Sequence, residues 1–359
     1  ALETKAKNVI LMDYDTGEYL FAENAFVPVA PASMSKLMTV YVLFSKLKDG
    51  TLSLEDVFSV SENAWRTGGA ASGSSTMFLP IGSKVTVENL IKGIIIQSGN
   101  DACIVAAENI AGSEEDFAEL MNAKAKELGL KNSHFVNSTG LPHPDHRMSA
   151  EDLARLAQAL IRDFPEYYSV FSQKSFTYNN ILQGNRNPLL YSMPDADGLK
   201  TGHTAEAGFC LTASVKRGDR RLIGVMTGLK SNKERSEEAE KLMNWGFREF
   251  NNYKVFKQFQ RIVSVPVYMG EEKSIDLAVD EDVIMTIARS KARDVKLTAV
   301  YEKPVKAPVA QGDKLGEVKI EIPGGEVKTV PLYADHSIRK LGFWGRILSN
   351  VKYLLFGAE

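Results

Sequence analysis

Cysteine is nearly missing from this chain: Cys103 and Cys210 are its only two. Two thiols, each in an apolar run, do not make a disulfide framework, and both are expected as buried free thiols. They leave the redox compartment unread. Runs of about 18 or more apolar residues are also missing, so no membrane-spanning helix is expected. Neither sign of charge is in excess. Lys and Arg total 43 against 45 for Asp and Glu, a net charge of −2, which excludes the basic footprint of a nucleic-acid binder. The first residues carry no charged-then-apolar leader, which fits a chain freed of its signal peptide or a sequence cut to this length. The grouping His143-Pro144-Asp145-His146 is stiffened by proline and has no third ligand nearby, so no metal is expected there.

What remains is 44% hydrophobic and 25% charged over 359 residues, enough for two domains and a large core. Asn8–Asp13 and Glu18–Phe21 flank an Asp/Gly turn and read as a hairpin. The stretch from Pro31 to Phe44 reads as a helix that is apolar on nearly every side after Lys36, and therefore buried all round. Ser33 and Lys36 lie three apart, on one helical face. A hydroxyl at the positive end of a buried helix, beside an amine that desolvation keeps neutral, is the layout of an activated nucleophile. By itself the string carries little, because Ser-x-x-Lys occurs four times, at Ser33, Ser45, Ser337 and Ser349.

Further along, the small-residue tract Gly68–Ser75 is expected as a flexible surface loop, with the border of a cleft as the alternative. Two buried helices, Val87–Ile96 and Ala102–Ile110, pinch the polar segment Gln97–Asp101 between them, a rigid mount for functional side chains. A long amphipathic helix (Glu114–Leu128), a loop (Asn132–Arg147) and a helix opening at Ser149 follow. Gly198–Thr204, Phe209–Val215 and Leu222–Met226 read as three strands, completing with the first hairpin a sheet of about five. A helix from about Ser236 to Phe250 closes this first unit, residues 1–252.

After about residue 256 the apolar period becomes two, with Pro and Gly punctuation, which predicts a small all-β domain over 257–334. From His336 to residue 357 the spacing turns helical. Arg339, Lys340, Arg346 and Lys352 are the only charges between His336 and Phe356, and Trp344 and Phe356 are aromatic. A basic amphipathic helix of this kind reads as a membrane-surface anchor, the alternative being a helix docked on the β domain.

Three strings stand in order: Ser33-x-x-Lys36, Ser98-Gly99-Asn100 and Lys200-Thr201-Gly202. Ser-x-Asn also occurs at Ser61-Glu62-Asn63, a helix start. With Asp in place of Gly99, the triplet is the signature of β-lactamases and penicillin-binding proteins. Leu90–Ala107, Gly184–Asn187 onward through Lys200–Thr204, and Leu242–Phe247 are further similar to the low-molecular-mass penicillin-binding proteins of the 5/6 type, the serine D-alanyl-D-alanine carboxypeptidases. The resemblance covers essentially the whole chain. It implies an α+β fold of β-lactamase/transpeptidase type, with a five-stranded antiparallel sheet and helices, then a small β domain and an amphipathic tail.

The resemblance also implies the chemistry. Ser33 would attack the carbonyl between the terminal D-alanines of a peptidoglycan stem peptide, and Lys36 would take its proton. Ser98 and Asn100 would pass the proton to the leaving amine and hold the substrate amide. Lys200 would orient Ser98, and Thr201 with Gly202 would border the substrate carboxylate. The N–H groups of Ser33 and His203 would form the oxyanion hole, about 3–4 kcal/mol per donor. Arg235, and Arg186 after it, would add positive charge on the carboxylate side. β-Lactams would acylate the same serine. No cofactor or metal is implied, and the place of work would be the periplasm, peripheral on the outer face of the cytoplasmic membrane.

Class A β-lactamases deacylate with a Glu-x-x-Leu-Asn glutamate that this chain lacks between Asn100 and Lys200, so penicillin is expected to inhibit. The remaining alternatives are a D,D-endopeptidase of cross-links and a non-catalytic wall-binding scaffold.

Overall fold

The computed structural model of the protein describes residues 1–343 together with Arg346. The chain divides into two compact units, the first Ala1–Arg248 and the second beginning at Glu249.

The first unit is built on a five-stranded antiparallel sheet. Its order is Tyr19–Glu23, Asn8–Asp13, Arg220–Leu229, Gly208–Arg217, Ala196–Thr204. The first hairpin thus pairs with strands about 200 residues downstream, Asn8 opposite Thr227 and Asp13 opposite Leu222. Every residue of Asn8–Asp13 is buried because successive side chains enter opposite cores. Ile10 and Met12 face a large helical core with Ile223 and Val225. Val9 and Leu11 face a smaller core with Leu242, Met243 and Phe247 of the helix Asn232–Glu249.

The helix Lys36–Lys48 runs through the larger core, with ten of its thirteen residues buried. That burial on all sides is what its unbroken apolar run requires. Around it pack Val87–Gln97, Asn100–Ala111, Glu114–Glu127 and Ala150–Asp163. Ser149 caps the last of these, accepting from the Asp152 N–H at 3.1 Å, a contact worth about 1 kcal/mol.

From Phe250 to Ala334 the elements of the second unit are strands, apart from one short 3-10 turn, Ala292–Asp294. A six-stranded sheet runs Lys296–Tyr301, Lys314–Glu321, Val327–Ala334, Ser274–Ala278, Arg261–Tyr268, Val305–Lys306, and Phe250–Phe256 pairs with Val283–Ala288. Alternate residues, among them Val265, Ile275, Leu277, Val318 and Ile320, fill one core. The helical spacing counted from His336 does not describe the backbone at its start. Ile338 and Lys340 lie in antiparallel bridges opposite Val309 and Gly270: Ile338 exchanges hydrogen bonds with Val309 and its side chain joins the β core, while the Leu341 N–H donates to the Met269 carbonyl. An apolar residue opposite an open strand edge gains more there than in a helix that leaves it in water. The rest of the expected anchor, beyond Phe343, lies outside the described residues save Arg346.

Candidate active site

Pro31 ends the connection from the first hairpin, and Ala32 then takes a left-handed φ of +51°. A 3-10 turn, Ala32–Ser35, carries Ser33 into the helix that starts at Lys36. Ser33 is half-buried and Lys36 wholly buried. The Lys36 Nζ donates to Ser33 Oγ at 2.9 Å and to the Thr139 carbonyl at 2.7 Å. Among the described residues no carboxylate bonds this amine, and burial, the largest cause, lowers it from 10.5 to about 8. The other Ser-x-x-Lys copies are put to different use. Ser45 Oγ donates to the Tyr41 carbonyl while Lys48 is exposed, Lys340 is exposed, and the copy at Ser349 lies outside the described residues.

Ser98 ends the helix Val87–Gln97 in a left-handed conformation, φ +61°. Only Ser98 and Gly99 separate the two helices, so Asn100 is the first helical residue rather than part of a longer loop. Its N–H donates to the Ser75 carbonyl at 2.8 Å and its Nδ2 to Ser74 Oγ at 3.1 Å. Its Oδ1 is buried and has no hydrogen-bond partner among the described residues. A lone buried acceptor costs about 1–3 kcal/mol, and a ligand N–H would recover it. Beneath it the Asp101 carboxylate accepts from Thr76 Oγ1 and from the Met77, Leu79 and Ala102 N–H groups, fixing the segment that follows Ser75. The tract Gly68–Ser75, expected as a surface loop, therefore borders the site. Its small residues allow this approach: a Cβ on Gly68 would lie 2.6 Å from the Asp101 nitrogen.

Ala196–Thr204 is the edge strand of the sheet. Lys200, wholly enclosed, donates to Ser98 Oγ at 3.0 Å and to the Thr201 carbonyl at 2.9 Å. Burial lowers it well below its ordinary value, and the Lys36 charge acts in the same direction. Gly202 lies against the nucleophile turn, where a Cβ would come 3.0 Å from Ala32 Cβ and 3.1 Å from the Ser33 nitrogen. Thr201 is buried, whereas His203 is exposed and stacks on Phe209 with ring centroids 4.0 Å apart. Arg235 is buried, its Nη1 donating to the Gly202 and Cys210 carbonyls and its Nη2 to Asn232 Oδ1. Arg186 is exposed and donates to Ser75 Oγ at 2.7 Å.

Ser33, Lys36, Ser98, Asn100, Lys200 and Gly202 thus converge from the helix start, the interhelical turn and the edge strand. The sequence reading missed the Thr139 carbonyl, Ser74, Ser75 and Asp101. Its only signals for them were the turn residues Asn137–Gly140 and the small-residue tract. Cys103 and Cys210 are buried free thiols, and burial pushes Cys103 up to about 12. No group of three metal-ligating side chains occurs among the described residues.

Residues 1–231 match the family model described as D-alanyl-D-alanine carboxypeptidase, peptidase S11. Residues 250–340 match that of the penicillin-binding protein 5 C-terminal domain. The chain is 42% identical to D-alanyl-D-alanine carboxypeptidase DacC of Escherichia coli, over 95% of this chain and 86% of that one. Penicillin-binding protein 5 of Haemophilus influenzae superposes with a TM-score of 0.84 at 36% identity, covering 95% of this chain and 99% of the other. Penicillin-binding protein D2 of Listeria monocytogenes, solved in its cefotaxime-bound form, covers 69% of this chain and 99% of its own, with a TM-score of 0.63 and 28% identity.

Proposed function

The chain belongs to the D-alanyl-D-alanine carboxypeptidase family, a family of hydrolases, and from that premise we propose how its residues divide the work. The carrying observation is a wholly buried amine that donates to a half-buried hydroxyl at 2.9 Å. In its neutral form Lys36 keeps one N–H on the Thr139 carbonyl and turns its lone pair to the Ser33 hydroxyl. It takes that proton as Ser33 Oγ attacks the carbonyl between the two terminal D-alanines of a stem pentapeptide.

The Ser33 and His203 N–H groups receive the oxyanion, and the closeness of Gly202 to the Ser33 nitrogen supports that pairing. Asn100 Oδ1, unpartnered and buried, accepts the substrate amide N–H. Ser98, oriented by Lys200, hands a proton to the departing D-alanine amine. Lys200, Thr201 and Arg186 supply positive potential and hydrogen bonds to the terminal carboxylate. Arg235 adds charge through the Gly202 carbonyl that it holds. Water then cleaves the acyl-enzyme.

A β-lactam enters the same cycle but stalls after acylation, because no Glu-x-x-Leu-Asn glutamate stands between Asn100 and Lys200. The enzyme works in the periplasm, peripheral on the outer face of the cytoplasmic membrane, held there by the basic aromatic tail. No helix among the described residues is long and apolar enough to cross a membrane.

A fluorescent penicillin tests the nucleophile: it labels the wild type and leaves Ser33→Ala unlabelled, and equal labelling of both refutes the assignment. Release of D-alanine from a pentapeptide, measured beside cleavage of a cross-linked dimer, separates the carboxypeptidase from the endopeptidase.

A further inference from the structure

His146 ends the segment His143-Pro144-Asp145-His146, yet it lies in the core, 2% exposed, while His143 and Asp145 are exposed. Its Nδ1 accepts from the Val136 N–H at 3.1 Å, so the ring proton sits on Nε2. Nε2 lies 2.8 Å from Ser35 Oγ. Since Nε2 donates, the Ser35 hydroxyl directs its own proton onward, to the Ala32 carbonyl at 3.2 Å. Ala32 is the left-handed residue immediately before Ser33, a conformation that an alanine adopts only where its surroundings impose it. The same carbonyl is closed from the other side by Gly140, where a Cβ would stand 2.1 Å from the Ala32 oxygen and 2.8 Å from Ser35 Oγ.

Resting on the assignment of Ser33 as nucleophile, we propose that His146 is a positioning residue for it. Through Ser35 it holds the Ala32 carbonyl, and with it the left-handed turn that sets Ser33 Oγ against Lys36 and directs the Ser33 N–H. The relay runs Val136 N–H to His146, His146 Nε2–H to Ser35, Ser35 O–H to Ala32, and each acceptor fixes the direction of the next donor. The imidazole suits the post because it is neutral: burial brings it down to about 4, and the neighbouring His134, His143, Lys36 and Arg147 charges act in the same direction. T-shaped packing against Phe135, ring centroids 5.6 Å apart, orients the ring.

The test compares penicillin acylation of the wild type with His146→Phe, His146→Gln, Ser35→Ala and the double variant His146→Phe/Ser35→Ala. Misplacing a reacting group by about an ångström costs about 100-fold. His146→Phe keeps the packing and removes both hydrogen bonds, and should slow acylation at saturating penicillin about 10- to 100-fold with little change in the half-saturating concentration. His146→Gln, whose amide N–H reaches Ser35, should recover most of that loss, which a merely space-filling role would not produce. The double variant should be no slower than the slower single, since both break one relay.

Wild-type acylation by a folded His146→Phe, or losses that multiply in the double variant, would overturn the proposal. If His146→Phe does not fold, Ser35→Ala decides alone: slowed acylation at an unchanged Tm supports the relay, and an unchanged rate refutes it. Ser33→Ala separates the two readings. If it still labels, the nucleophile assignment has failed, whereas an unlabelled Ser33→Ala beside wild-type rates at positions 146 and 35 sinks only the relay.

Discussion

Replacing Lys36 by methionine should change the pH dependence of stability in a calculable way. The amine stands at about 8 in the folded protein against an ordinary 10.5. A basic group depressed on folding holds fewer protons folded than unfolded, so stability rises with pH between those two values. Below about 8 the folded state carries the whole penalty of a buried ammonium, about 3 kcal/mol for an amine brought from 10.5 to about 8. Methionine has no such penalty but leaves the Thr139 carbonyl unpaired, at a cost of about 1–3 kcal/mol, so the two proteins should be of similar stability at pH 7. The decisive quantity is the change in their difference. Titration of Lys36 itself should give the wild type about 2 kcal/mol on Lys36→Met between about pH 7 and 9.5, since groups that do not feel the Lys36 charge cancel in the comparison. Urea unfolding at four or five pH values measures it. A difference that stays flat over that range, or runs the other way, would refute the claim that Lys36 is held near neutrality by burial. The same titration sets catalysis: wild-type penicillin acylation should rise about tenfold per pH unit below 8 and level off above it.

Gly202→Ala should place a methyl against Ala32, Ser33 and Pro31, costing about 1–3 kcal/mol of stability and slowing acylation about tenfold. A thermal melt and a penicillin progress curve check it, and an unchanged rate would show that Ser33 tolerates the shift. Asn100→Ala removes the unpartnered Oδ1 together with the bond to Ser74. Pentapeptide turnover should fall about 10- to 100-fold with stability little changed, and activity equal to wild type would remove Asn100 from substrate binding. Removal of every residue after Phe343 should free the protein from anionic vesicles and spare both acylation and Tm. Cutting at Asp335 should also lower Tm, because it strips Ile338 from the β core. A form ending at Phe343 that still sediments with vesicles would refute the anchor.

Much of the fold was legible because its signals are local. The change of apolar period near residue 256 marked the passage to strands, and the unbroken apolar run after Lys36 required burial on all sides. The tail was misread at its start because Ile338 satisfies a helical count and a strand edge equally well. Only the presence of Val309 and Met269 selects the second. The tract Gly68–Ser75 was misread for a related reason. Small residues mark flexible loops and close packing alike, and the difference lies in Asn100 and Asp101, which the local sequence does not show.

The sequence by itself determined the helical phase that puts Ser33 and Lys36 on one face, the alternation that gives Asn8–Asp13 two buried faces, and the order of three short strings. It did not determine which of four Ser-x-x-Lys copies has its lysine enclosed against its serine. That was decided by the fold, which encloses Lys36 and bonds it to Thr139, leaves Lys48 and Lys340 exposed, and brings His146 to Ser35 across 111 positions. The physical reason is that periodicity is a property of neighbours along the chain. An amine's proton affinity and a turn's conformation depend on what surrounds them, and here those surroundings come from segments a hundred residues away.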